Sequence, residues 1–393
     1  MADANAIKNE FNINVGMFGA GAKTAVDTLI GAIGAERASH EQIRRRFIDL
    51  EKLFGETRET LSVSNAVIKQ QERTISAVRS LCSSTDSELW LRTPIDKPQN
   101  YESKLRNSIP IIVFANLKGG VAKTTLSANI AAYFELEKNE RVLVIDLDFQ
   151  GSLTSMLRSV SEKTPTSYAN SAKSVLTPGF DPSNLLHFAP QIRDSTRDSR
   201  FINCGQEFAN HEVALLLSWV IGDVTEDIRY LLAKVLLSEA VQDNFDRVII
   251  DAPPRITTSF VNALCASTHL LIPTVLDQLS TDGVSTFLND FDKLHPSLFP
   301  LLKLTGVLGT MKRTQTDNLE QSEQAAIETL KKLLDRRVGY EECFWSDQLM
   351  PRMEAFARAA GVRVAYPERT VAPTINSLGI KISEKAPNRK VNA

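Results

Sequence analysis

Two hydrophobic rhythms divide this chain. Over residues 41–82 no proline occurs, and Ile43, Phe47, Leu50, Phe54, Leu61, Ile68, Ile75 and Val78 recur in alternating steps of four and three, with Thr57, Ser64 and Gln71 filling the remaining places. That spacing predicts helix carrying one apolar seam. Beyond Pro110 the rhythm changes to short unbroken apolar runs at residues 111–114, 141–148, 245–251, 269–274 and 304–310. Runs of that length without alternation are what strands buried on both faces look like. Most are followed by helical sequence, and an amphipathic helix is expected over residues 230–244, ahead of the third run. The predicted fold is therefore α/β, with a mostly parallel sheet covered by helices on both faces. Residues 1–82 are read as a helical N-terminal region, 83–109 as a linker because Pro94 and Pro98 stand among polar residues, and 110–393 as the sheet domain. Residues 152–210 are polar and irregular and predict little. At the far end Leu378, Ile380 and Ile382 alternate as in a strand, and the tail after them is short and basic.

The N-terminal seam admits more than one structure. It fits a long helix pairing with its counterpart in a second subunit. It also fits a helix broken near Gly55 and again at residues 61–64, where Ser64 would cap a second helix able to enter DNA. A helical appendage packed on the sheet domain is a third reading. Arg44, Arg45 and Arg46 suit a phosphate contact or a solvated face. Residues 16–24, GMFGAGAKT, are a Gly/Ala loop or helix start, because Ala22 separates Gly21 from Lys23 and no buried strand leads in.

Candidate chemistry sits on the first strand. Residues 111–125 read IIVFANLKGGVAKTT: a strand, a tight loop, then Leu126, Ile130, Tyr133 and Phe134 at helical spacing. Unpaired N–H groups of Gly119, Gly120, Val121, Ala122 and Thr125, together with the helix N-terminus, would cradle phosphate. Lys123 would reach the β- and γ-phosphates and the Thr124 hydroxyl would sit on Mg²⁺. The ordinary pattern G-x-x-x-x-G-K-[ST] is not met, since Leu117 and Ala122 occupy its glycine positions.

What the loop resembles instead is the deviant Walker A motif, K-G-G-x-x-K-[ST], of the ParA/MinD class of P-loop ATPases, with Lys118 as the early lysine. Two further motifs follow in the order of that family. Residues 146–151, DLDFQG, resemble its D-x-D-x-Q switch with Phe149 where proline is usual, and 245–254, FDRVIIDAPP, resemble its Walker B strand. The resemblance implies that Asp146 and Asp251 serve Mg²⁺ through water and that Asp148 orients the attacking water. Alternation along a strand would put Asp146 and Asp148 on one side. The resemblance also implies catalytic roles for Lys118, Lys123 and Asp148, and places Pro351 and Arg352 beside the adenine of ATP. Lys118 is expected to cross to the nucleotide of a second subunit, making ATP the glue of a homodimer.

The long N-terminal extension is most similar to the larger plasmid-partition ParA proteins. Such a resemblance implies non-specific DNA and a ParB-like centromere-binding protein as partners, no membrane, and a cytoplasmic, nucleoid-associated location. Net charge is −2, so DNA binding requires a local patch, expected among Lys312, Arg313, Lys331, Lys332, Arg336, Arg337, Arg352, Arg358, Arg363 and Arg369. The four cysteines show no C-x-x-C pairing, which disfavours a zinc site, a disulfide framework and a cluster-bearing reductase similar to the nitrogenase iron protein. The alternatives kept open are a MinD-like positioning ATPase and a nucleotide-switched regulator with little turnover.

Overall fold

A computed structural model of the chain describes residues 6–9, 19–83, 86–92, 94–158, 171–313 and 319–388. In chain order the helices are α1 Ala20–Ser83, α2 Asp86–Arg92, α3 Tyr101–Asn107, α4 Lys123–Lys138, α5 Ser152–Leu157, α6 Ser171–Val175, α7 Leu185–Phe188, α8 Glu207–Ile221, α9 Leu231–Leu236, α10 Glu239–Gln242, α11 Thr258–Ala266, α12 Gln278–Leu298, α13 Gln321–Asp335, α14 Glu354–Ala359 and α15 Ala372–Lys385. The strands are β1 Ile111–Phe114, β2 Val142–Asp146, β3 Arg200–Ile202, β4 Arg247–Asp251, β5 His269–Val275 and β6 Lys303–Thr310. They form one sheet in the order β3-β2-β4-β1-β5-β6, and every pair is parallel.

Successive strand residues feed two cores, as a period of two requires. Ile111, Val113, Leu143, Ile145, Val248 and Ile250 join the core that holds Phe208, Phe260, Phe287 and Leu330 of the helices on one face. Ile112, Phe114, Val142, Val144 and Ile249 join the other, with Leu126, Ile130 and Phe134 of α4 and Ile375, Leu378 and Ile382 of α15. Both faces are thus covered, and the runs need no polar alternation.

Several expectations are corrected. The stretch read as a linker contains α2 and α3, and Trp90, Tyr101 and Leu105 are buried in the first core. Arg229, itself buried and paired with Asp227, donates to the carbonyls of Trp90 and Pro94 at 2.7 Å each, which fastens this segment to the domain. The helix expected over 230–244 is broken into α9 and α10, with the Ser238 hydroxyl donating to the Val235 carbonyl at 2.6 Å between them. Residues 152–210, read as irregular, supply α5, β3 and the start of α8. The alternation at Leu378, Ile380 and Ile382 is incidental: the segment is α15, whose buried residues Ile375, Leu378, Gly379 and Ile382 follow helical spacing. A Cβ on Gly379 would come within 2.3 Å of the Tyr133 ring, so glycine is what lets α15 lie against α4.

The chain divides into two units, Met1–Ser76 and Ala77–Ala393. In the first, α1 runs unbroken through Gly55 and residues 61–64, which removes the reading with two short helices. The helix starts at Ala20; residues 16–18 of the GMFGAGAKT segment lie outside the described residues. Ile43, Phe47, Leu50, Phe54, Leu61, Ile68 and Ile75 are 51–73% exposed. Among the described residues no helix is long and apolar enough to cross a membrane.

Candidate active site

β1 leads directly into the loop, and neighbouring strands fix its shape. The Ala115 N–H donates to the Leu271 carbonyl at 3.1 Å. The buried Asn116 side chain donates to the Pro273 carbonyl at 2.8 Å and accepts from the Lys118 N–H at 3.0 Å. Thr310, at the end of β6, reaches the Val121 carbonyl at 3.2 Å with its hydroxyl. The turn is completed by two left-handed residues, Gly120 at φ 72° and Ala122 at φ 70°. A Cβ built on Gly119 or Gly120 meets no atom within 4 Å, so the space beside the loop is open to a ligand. α4 begins immediately after Ala122 and presents Lys123, Thr124 and Thr125 in its first turn, at the positive end of the helix.

Lys123 folds back across the loop it follows, its Nζ donating to the Lys118 carbonyl at 2.9 Å. Burial pushes its pKa down, against the pull of Asp251 and Asp148. The carboxyl ends of β1, β2 and β4 lie level, with Phe114 paired to Asp251 and Asp251 to Asp146. Asp251 accepts the Thr124 hydroxyl at 2.7 Å through Oδ2. Its Oδ1 is buried and has no hydrogen-bond partner among the described residues. Burial, reinforced by Asp146, raises the Asp251 carboxyl well above the usual range.

Asp146 is brought beside Asp251, but its oxygens face the following turn. Oδ2 accepts from the Thr154 N–H at 2.8 Å and hydroxyl at 2.7 Å, and Oδ1 from the Asp148 N–H at 3.1 Å. Burial outweighs these bonds and lifts its pKa to about 6. β2 ends at Asp146, so Asp148 stands in the turn rather than on the strand; it is half-buried and accepts the Gln150 N–H at 3.1 Å. Phe149, in the place where proline is usual, lies 5.8 Å from the Arg255 guanidinium. That contact ties the turn to the loop after β4.

Lys118 is turned away from its own loop. Its Nζ donates to the Ser280 hydroxyl at 2.7 Å and lies 3.5 Å from Asp277 Oδ1. Asp277 caps α12 by accepting the Ser280 N–H at 2.7 Å. Pro351 forms an isolated parallel bridge with Lys312, flanked by the Lys312 N–H donating to the Met350 carbonyl at 3.0 Å and the Arg352 N–H donating to the Lys312 carbonyl at 2.8 Å. Pro351 and Arg352 therefore stand just past β6, at the same end of the sheet as the loop.

Sequence reasoning missed Asn116, Thr154, Asp277, Ser280 and Thr310. Only the Asp277/Ser280 pair carried a signal, an acid three residues before a serine at the head of an apolar-periodic helix.

The arrangement is suited to a polyanion with a divalent cation. The loop and the helix N-terminus border open space that phosphates would occupy, and two desolvated carboxylates lie side by side. The orphaned Asp251 Oδ1 beside the Thr124 hydroxyl fits a Mg²⁺-bound water.

Comparison with known proteins agrees with this chemistry. The AAA domain family matches residues 109–304. The chromosome-partitioning ATPase Soj of Thermus thermophilus is 30% identical over 256 residues, 65% of this chain and 86% of Soj. The sporulation initiation inhibitor protein Soj of Bacillus subtilis is 31% identical over 53% of this chain and 74% of its own. Among solved structures, cobyrinic acid a,c-diamide synthase from Mycobacterium smegmatis, with bound ATP analogue and magnesium, superposes with a TM-score of 0.54 at 26% identity, covering 71% of this chain and 96% of that one. With the loop, the level acids and the parallel sheet of such an enzyme all present, the chain belongs to the ParA/Soj family of P-loop ATPases.

Proposed function

We propose that this ATPase partitions DNA: two chains close on ATP, the closed dimer holds non-specific DNA, and hydrolysis, prompted by a ParB-like centromere-binding partner, releases it. The observation that carries this reading is the split disposition of the two loop lysines. Lys123 lies over its own loop, whereas Lys118 projects from it toward Ser280 and Asp277. A lysine so directed does not serve its own loop and, once released from Ser280 and Asp277, would reach a nucleotide held by a second copy.

In each chain the Gly119–Thr125 N–H groups and Lys123 bind the phosphates. Mg²⁺ would be held by the Thr124 hydroxyl and, through water, by Asp251, and would supply neutralisation of phosphate charge. Asp148 orients the water that attacks the γ-phosphoryl group. Asp146 acts one step removed, since its Oδ1 holds the Asp148 N–H and its Oδ2 holds Thr154. Pro351 and Arg352, fixed beyond β6, sit beside the base. Loss of the γ-phosphate removes what both chains grip, and the dimer loosens. The reading places the protein in the cytoplasm on the nucleoid.

The test is nucleotide binding and phosphate release on two variants. Lys123→Ala should bind no ATP. Asp148→Ala should bind it normally and hydrolyse it about a hundredfold more slowly. Undiminished turnover in Asp148→Ala would remove that acid from the mechanism, and turnover that ignores DNA and partner alike would leave a nucleotide switch rather than a partition motor.

A further inference from the structure

The turn that carries Asp148 is tied down by backbone bonds at both ends. At its start the Asp148 N–H donates to Asp146 Oδ1 at 3.1 Å. At its end the Gly151 N–H donates to the Asp148 carbonyl at 2.8 Å, and Gly151, left-handed at φ 64°, lies so near the Cys204 carbonyl that a Cβ would come within 3.0 Å of it. Phe149 stands between these anchors. It has none of proline's fixed φ, so the middle of the turn is held by what its ring packs against. The ring is half-buried against the first core and lines a cavity of about 630 Å³ together with Leu117 of the phosphate loop and Arg255. Arg255 is exposed, and its guanidinium stands 5.8 Å from the ring centroid, within cation–π range. It has a second neighbour in Glu212 of α8. Burial lifts that carboxyl, while its hydrogen bonds with Ser259, whose N–H it accepts at 2.7 Å, and the charge of Arg255 pull the other way.

We propose that Arg255 is a positioning residue for hydrolysis: by holding the Phe149 ring it fixes the turn so that Asp148 stands where it orients the attacking water. This rests on the role given to Asp148 above. Displacing a group that orients water slows the chemical step and spares nucleotide binding, which the loop and Lys123 supply. An exposed cation–π contact is weak, so its loss shifts the turn by a small factor, about two- to fivefold.

The test is phosphate release at saturating Mg²⁺-ATP, with equilibrium binding of a non-hydrolysable ATP analogue, on the full chain. Arg255→Ala should lower kcat about two- to fivefold with analogue affinity unchanged. Phe149→Leu keeps an apolar side chain against the core and loses the π face, so it should lower kcat by a similar factor. The double variant should then be no slower than either single one. Arg255→Lys keeps the cation and should restore most of the rate. Glu212→Gln should leave kcat as it is; if it reproduces the Arg255→Ala defect, Arg255 acts through α8 and the proposal is overturned. Unchanged kcat in Arg255→Ala, effects that multiply in the double variant, or analogue affinity falling in step with kcat would each overturn it too. Asp148→Ala, measured alongside, separates the two claims. Undiminished turnover there overturns the role of Asp148, whereas slow turnover there with any of the contrary outcomes above overturns the role of Arg255 alone.

Discussion

Ala122 carries a cost that the rest of its loop does not. It sits at φ 70° in the left-handed region, one residue before α4, where glycine would be unstrained. Replacing it with glycine relieves that strain but gives the unfolded chain more freedom, so the two effects partly cancel. Ala122→Gly should raise stability by roughly 0.5–1 kcal/mol. Gly120→Ala, at φ 72°, should lower it by a similar amount. Thermal unfolding of both variants without nucleotide checks the pair, and equal midpoints would show that the loop relaxes around either residue. At this scale the sequence is most legible where a backbone constraint and a side-chain type coincide. Spacing alone picks out the glycine pair, Lys123 and Thr124, and Thr124 does meet Asp251. Strand alternation puts Asp146 and Asp148 together, yet β2 stops at the first of them. Where a strand ends is set by tertiary contacts such as Thr154 on Asp146, and no local pattern records them.

At the scale of elements, the meeting of the loop with the head of α12 has a functional consequence. Asp277 both caps α12 and holds Lys118, and hydrogen bonds from Ser280 together with the Lys118 ammonium keep its carboxyl below the usual range. In the proposed dimer Lys118 would have to leave Ser280 and Asp277 to reach a second chain's nucleotide. Lys118→Ala should bind ATP and yet fail to gain the ATP-dependent association. Asp277→Asn keeps the cap acceptor and drops the charge, so it should strengthen that association. Sedimentation with a non-hydrolysable analogue, scored against the nucleotide-free state, distinguishes these outcomes; normal ATP-dependent closure in Lys118→Ala would sink the role given to the early lysine. The buried strands are legible because burial on both faces leaves an unmistakable apolar run. Short elements are not. α2 and α3 hide in polar, proline-bearing sequence; Trp90, Tyr101 and Leu105 are buried in the core and Leu89 packs against it. α15 reads as a strand because three apolar residues fall in two-step alternation, while the helix buries a different set, Ile375, Leu378 and Ile382.

For the whole molecule, a net charge of −2 means that any hold on DNA is local, and the structure narrows where. Of the ten basic residues expected to serve, four are engaged within the chain: Arg313 with Glu320, Arg337 with Asp292, and Arg358 and Arg363 with Glu368. Lys331 and Lys332 on α13, Arg336 at its end, and Arg352 and Arg369 are exposed and make no ion pair among the described residues. These five are the cations best placed for phosphate. Closing two chains on ATP, as proposed, would double the patch, and two weak sites held together bind far more tightly than either alone without any new kind of interaction. Affinity for DNA of unrelated sequences should therefore be alike, should rise with an ATP analogue over ADP, and should fall steeply with salt. Lys331→Ala with Arg336→Ala should flatten the log–log salt slope by about 0.9 for each phosphate that is no longer neutralised. Arg358→Ala, which gives up a residue already paired with Glu354 and Glu368, should change it little. Affinity measured at several salt concentrations with ATP analogue, with ADP and without nucleotide decides the matter: equal binding in all three would reject switching by ATP, and an unchanged slope in the double variant would move the DNA surface away from α13.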